Sequence, residues 1–334
     1  MNVDCQDRIL LTGAGFTKNF GAPLAKELWG IIFSNPILDD APDVRDLLRE
    51  DFDFESVYND VMRGARPARD ARQGTPTWES QQQALRTAVS EAYEYIDEKV
   101  RCFSFRSDAP YPINIYMVQE FISKFAGTSN SPGYFFTLNQ DLFVERHYYN
   151  GLAPTLPGIE RRSSWFAPNR TQSLKDERCL IPDSADNMSF KGWPFYYVKL
   201  HGSSNWYTGD QEAMVIGRAK QTQIAAHAVL AAYFEAFRSV LKGGGRRLLC
   251  VGYSFSDEHV NAAISDGVKA GLRVYVLSPE SPDSLALRLR QHEAGELIWR
   301  GLAGYFQSDL KALFPGDQSY TAEWKLLQGR FLAS

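Results

Sequence analysis

Five short apolar runs constrain the fold of this chain more than any other feature: Arg8-Ile-Leu-Leu-Thr12, Tyr134-Phe-Phe-Thr-Leu138, Phe195-Tyr-Tyr-Val-Lys-Leu200, Arg247-Leu-Leu-Cys-Val251 and Arg273-Val-Tyr-Val-Leu277. Each is nearly continuous in apolar character rather than alternating, which is the pattern of a strand buried on both faces. Helical periodicity separates them, over Ile115–Phe125, Ile224–Leu241 and Asp257–Ala270. Strands alternating with helices predict an α/β fold, a doubly wound parallel sheet of Rossmann-like type with helices on both faces. Two stretches interrupt the rhythm. From Ala22 to Pro112 the pattern is that of amphipathic helices, the longest over Thr77–Arg101, with Leu85, Val89, Ala92 and Ile96 on one face. From Asn150 to Pro194, Pro, Ser, Asn and Arg dominate without periodicity, which predicts loops and short elements. The expected organisation is a core of residues 1–30, 113–149 and 195–334, a helical insertion over 31–112 and a loop-rich insertion over 150–194.

Composition narrows the function classes. A net charge of −4 and a pI near 5.8 give no global attraction to nucleic acid, so direct nucleic-acid binding is not expected. The Arg63, Arg66, Arg69 and Arg72 series reads as a solvated face. The first residues carry neither a basic segment nor an apolar run, and no stretch is long enough to span a bilayer; the expectation is a cytoplasmic protein. Cys5, Cys102, Cys179 and Cys250 are widely spaced, so neither a zinc ribbon nor a disulfide framework is expected, and Cys250 inside a strand reads as a small hydrophobe.

Four motifs stand at predicted strand ends. Gly13-Ala-Gly15 follows the first strand and would let the backbone approach a phosphate at the start of a helix, although Lys18 occupies the place of the third glycine in the usual dinucleotide fingerprint. Thr137-Leu-Asn-Gln-Asp141 puts Asn139 and Asp141 at the end of the second, where they either cap the next helix or face a ligand. Lys199-Leu-His-Gly202 puts His201 at the end of the third, with Gly202 allowing a sharp exit. Val251-Gly-Tyr-Ser-Phe-Ser-Asp257 supplies glycine, hydroxyls and an acid that could simply cap a helix. In a parallel sheet these four ends converge on one crevice, which independent caps would not need to do.

Taken in chain order, the glycine loop, T-x-N-x-D, H-G and glycine–serine loop resemble the sirtuin superfamily. The resemblance covers about residues 7–30, 134–147, 196–206 and 247–280. It implies that Gly13, Ala14, Gly15 and Thr17 cradle the pyrophosphate of NAD and that Gly252 and Ser254 serve its phosphate and ribose side. It further implies that Asn139 orients the ribose or a water, that Asp141 lies near the carboxamide, and that His201 is the base. The loop Gly21-Ala-Pro-Leu-Ala-Lys26 lacks the Asp-Phe-Arg run of deacylating sirtuins, and Cys179 alone stands where a cysteine quartet would hold zinc, so no metal is expected. Ser278-Pro-Glu280 stands where the family often has an asparagine for the adenosine ribose.

Lys199–Trp206, Ile216-Gly-Arg218 and Gly252–His259 look more like the bacterial antiphage branch of the superfamily, whose members deplete NAD. The resemblance therefore implies an NAD glycohydrolase of antiphage defence, acting as a homo-oligomer and paired with a HerA-type ATPase, with NAD as substrate. The helical insertion and the tail Tyr320–Phe331 are candidate docking surfaces, the tail alternatively closing its own core. Two rival readings remain: a zinc-free protein deacylase or ADP-ribosyltransferase, and a non-catalytic module sensing NAD or ADP-ribose.

Overall fold

The computed structural model describes residues 5–64, 76–101, 103, 113–148, 154–159, 173–174, 176–209 and 211–333. Among these residues the strands are β1 (Arg8–Thr12), β2 (Gly133–Thr137), β3 (Cys179–Leu180), β4 (Phe195–Lys199), β5 (Gly202–Thr208), β6 (Gln211–Met214), β7 (Arg247–Val251), β8 (Arg273–Ser278) and β9 (Leu302–Gln307). Six form one sheet in the order β4-β2-β1-β7-β8-β9, parallel at every pairing. This is the expected Rossmann-like α/β architecture, and the five expected strands are all in it.

The register explains why the motifs meet. Thr12 pairs with Thr137 on one side and Val251 on the other, and Thr137 pairs with Lys199. Four chain segments therefore leave the sheet at one level, each neighbour about 4.8 Å from the next. The winding direction reverses between β1 and β7, the position at which open α/β sheets leave a crevice beyond their carboxyl ends.

Three features departed from the sequence pattern. The sixth strand, β9, lies at the sheet edge and is mostly half-exposed, so Leu302-Ala-Gly-Tyr-Phe-Gln307 carries no continuous apolar signal. Gly202 leads straight into a second sheet, β3-β5-β6, with φ +72° and no room for a Cβ against the Ala213 carbonyl. The helix expected over Ile224–Leu241 is two helices, Lys220–Ala226 and Ala228–Leu241, meeting at 117°. His227 breaks it, with extended backbone and its Nδ1 3.3 Å from the Thr208 hydroxyl. Among the described residues no single helix is long and apolar enough to cross a membrane.

Helices Ala25–Phe33, Pro42–Glu50, Phe54–Met62 and Trp78–Arg101 carry the amphipathic stretch. The last buries Leu85, Val89, Ala92 and Ile96 as its periodicity requires. It also grips the turn after β2, because Asp97 takes both a 2.7 Å and a 2.8 Å hydrogen bond from Arg146, with both side chains buried. The tail closes its own core: Trp324, Leu327 and Phe331 are buried, and Arg247 donates to the Phe331 carbonyl at 2.7 Å. Trp324 and Phe331 thus serve the core, while Tyr320 stays exposed. Cys250 is buried, with its thiol pushed up by burial. Cys102, Arg66, Arg69 and Arg72 lie outside the described residues.

Candidate functional site

The two glycine loops are built against each other. The Gly13 amide donates to the Val251 carbonyl at 3.1 Å, and the Gly15 amide to the Gly252 carbonyl at 2.9 Å. A Cβ on Gly15 would stand 2.8 Å from Gly252 Cα, and one on Gly252, itself at φ +60°, would stand 2.3 Å from the Phe16 amide nitrogen. The glycines are therefore needed for loop-on-loop packing whatever else they do. The Phe16 amide donates back to the Gly13 carbonyl at 2.9 Å, so several of the amides expected to point at a phosphate are already bonded. Ala14 stays exposed at the opening of the single helical turn Ala14–Lys18. Across from it Ser254 is exposed, its hydroxyl 2.8 Å from that of Ser256.

Asn139 is tied to the first loop: its amide nitrogen donates to the Gly13 carbonyl at 3.0 Å and to the Thr17 hydroxyl at 3.3 Å. The side chain thus bridges β2 to β1 while remaining half-buried. Asp141 serves the helix that follows, accepting from the Phe143 amide at 2.9 Å to open the helical turn Phe143–His147. Burial raises its carboxyl, with the cation of Lys199 opposing the shift. Lys199 is fully engaged, donating to the Asp141 carbonyl, Glu145 and the Ser203 hydroxyl at 2.6, 2.9 and 2.7 Å. Gln140, which carried no sequence signal, spans the site: it donates to the carbonyls of His201 and Val215 and accepts from the Tyr93 hydroxyl of the long helix.

His201 is buried at the end of β4, and its Nε2 lies 3.0 Å from Nε2 of His259 on the helix Glu258–Lys269. Burial pushes the His201 imidazole down to about 3 and lowers His259 as well, so both rings are neutral at physiological pH. Asp257 occupies the N-cap position of that helix, yet its side chain makes no cap hydrogen bond. It accepts instead from Lys220 at 2.8 Å, and Lys220 also meets Glu55 at 3.0 Å. Burial opposes the charge of both partners, but the ion pairs prevail: Lys220 is held above its ordinary range and Asp257 below. With His201 neutral, Lys220 is the cation that holds Asp257 down. The loop leading here is strained at Phe255, with φ +57°, a conformation costing a bulky residue about 1–2 kcal/mol. Asn261 pins it, donating to the Phe255 carbonyl at 2.8 Å while accepting from the Tyr253 hydroxyl at 2.9 Å.

The structure thus gathers the expected Gly13, Gly15, Thr17, Asn139 and Gly252 into one group and sets the expected His201 against Asp257 and His259 in another, while Asp141 turns to the helix Phe143–His147 and Ala14 and Ser254 stay exposed. A scan against protein families matches residues 133–298 to the SIR2-like domain. Over that stretch, just under half of its length, the chain is similar to the SIR2-like domain. The sirtuin-like superfamily that four short motifs resembled is the one this match supports, and members of the SIR2-like family are NAD-dependent enzymes. NAD is accordingly the expected ligand, as substrate or cofactor. No curated protein matches the chain.

The SIR2-like match begins at β2 and so leaves out the first glycine loop, which the contacts of Gly13 and Gly15 with Gly252 tie to it. His201, Asp257 and His259 are the trio of metal-ligand-type side chains that come within 4.8 Å of one another among the described residues. The Lys220 ammonium already sits on the one carboxylate of that trio, which sets a part-buried cation against any ion placed there. Sequence reasoning assigned no role to Glu55, Tyr93, Gln140, Lys220 or His259. Only His259 carried a signal, two residues beyond Asp257 at a helix start. Ile216-Gly-Arg218 shows how Glu55 arrives: Gly217, at φ +97°, packs on the Glu55 carbonyl, and Arg218 donates to the Ser56 hydroxyl at 2.7 Å.

Proposed function

We propose that this SIR2-like chain is an NAD glycohydrolase, cleaving NAD to nicotinamide and ADP-ribose. The observation that carries the reading is the pairing, on adjacent strand ends, of a tethered amide, Asn139, with a buried neutral imidazole, His201. Departure of nicotinamide leaves a cationic, oxocarbenium-like ribose, which a half-buried amide can face without adding charge of its own. A neutral imidazole can take a proton from the water that adds to C1′. The exposed Ala14 and the exposed hydroxyl of Ser254 are the groups left to meet the phosphates and ribose, with the buried Thr17 hydroxyl holding Asn139 in place.

By the resemblance of Lys199–Trp206, Ile216–Arg218 and Gly252–His259, the biological setting is cytoplasmic antiphage defence through NAD depletion. An enzyme of that kind needs a trigger. We assign the trigger to assembly, as a homo-oligomer and with a HerA-type ATPase, shifting an equilibrium between closed and open crevices.

The test is chromatographic separation of products from NAD with purified protein, alone and with the ATPase. Nicotinamide and ADP-ribose in equal amounts support the reading. O-acyl-ADP-ribose formed only with an acylated peptide would replace it with the deacylase, and tight binding without turnover under every condition would leave a sensing module.

A further inference from the structure

We propose that His259 is the positioning residue of the base: it accepts a hydrogen bond from Nε2–H of His201 and so leaves Nδ1 of His201 as the nitrogen that takes the proton. The inference rests on the glycohydrolase reading, which makes His201 the donor; the pair itself requires only that one ring donates and the other accepts.

Two imidazole nitrogens 3.0 Å apart share one hydrogen, so the rings hold complementary tautomers. If His201 were the acceptor, its Nδ1 would carry the hydrogen and Nε2 would be occupied, leaving no lone pair for water. With His201 as donor, Nδ1 is free, and it has no hydrogen-bond partner among the described residues. In the reaction the C1′–N bond breaks with its electron pair leaving on nicotinamide. A water oxygen bonds to C1′, and the water proton moves to Nδ1 of His201. The resulting imidazolium keeps its Nε2–H on His259, and the proton is later released to solvent.

The surroundings suit a transient positive charge on this pair. Asp257 faces both rings, with Glu258 beside His259; Lys220 opposes them and is itself offset by Asp257 and Glu55. Phe234 packs on His259, ring centroids 5.3 Å apart, and keeps that ring in place. Burial makes an isolated His201 a weak base, which is the reason a fixed tautomer and a shared, compensated charge matter here.

The experiment combines imidazole 15N NMR with turnover on the full chain, using His259→Ala and His259→Gln. Gln presents a carbonyl oxygen that can accept from Nε2–H; Ala cannot. The native resting protein is expected to show His201 as the Nε2–H tautomer and His259 as Nδ1–H, with His201 unchanged in His259→Gln and mixed in His259→Ala. For turnover, His259→Ala should lower kcat about 30-fold with KM within about twofold, and His259→Gln should recover to within about fivefold of native. An Nδ1–H tautomer of native His201, or native kcat in His259→Ala, overturns the proposal. So does one transition-metal ion per native chain that both variants lose. Absence of nicotinamide release by the native protein would sink the glycohydrolase reading instead, and the NMR would still decide the tautomer.

Discussion

On the β1–β7 side of the crevice the chain is fixed by backbone against backbone, glycine loop on glycine loop, whereas on the β4 side it is fixed by part-buried ionisable side chains that neutralise one another. The first arrangement has no space to give, because any Cβ at Gly15 or Gly252 meets main-chain atoms of the opposing loop or helix start. The second carries charges that must stay paired. One side therefore sets shape and the other sets electrostatics, and they respond to different perturbations.

The sharpest way to break this contrast is Gly252→Ala. A positive φ and a 2.3 Å approach to the Phe16 nitrogen together should cost about 3 kcal/mol or more, read as a lower urea midpoint. Native-like stability would show that the loops part freely and that the glycines serve a ligand only.

Next in size are Asn139→Ala and His201→Ala, each expected to lower nicotinamide release about 100-fold while the melting transition persists. Turnover retained in both variants would defeat the assignment of the polar side as catalytic. Loss of the transition would make them structural.

Lys220→Met leaves Asp257 and Glu55 as neighbouring carboxylates without their cation. The expected loss is about 2 kcal/mol at pH 7, below that of a fully buried pair because all three side chains keep some solvent contact. Adding Asp257→Asn should recover part of it; strict additivity in the double variant would show that the pair is not coupled.

The smallest effect sharpens the electrostatic half. His201 is held near 3 in the fold by burial, against about 6.5 in the unfolded chain, so between these values the unfolded chain binds the extra proton and stability falls as pH falls. His201 alone should contribute a loss of up to about 1.4 kcal/mol per pH unit from pH 6 to 5, with His259 acting in the same direction. Asp257, held low, loses its contribution only at more acid pH. Urea midpoints for native protein and His201→Gln over that interval give the answer; identical slopes would place His201 in contact with solvent.

Much of this was legible before any coordinates, for a physical reason. Strands buried on both faces must be apolar throughout, so β1, β2, β4, β7 and β8 declared themselves, and parallel strands with helical crossovers bring their carboxyl ends together wherever those strands lie in the chain. Asn139 and His201 could be named as neighbours on that ground. What the sequence could not determine were interactions whose partners are distant in the chain and individually unremarkable. Lys220 reaches Asp257 only because His227 bends one expected helix into two, and Glu55 reaches Lys220 only because Gly217 lets the chain close on the helix Phe54–Met62. Asp257 has the sequence of a helix cap and the environment of a part-buried ion pair. Periodicity and strand-end position follow from local chain geometry and are written along the sequence, whereas the charge state of a buried group depends on every element packed around it, and that was decided by the tertiary structure.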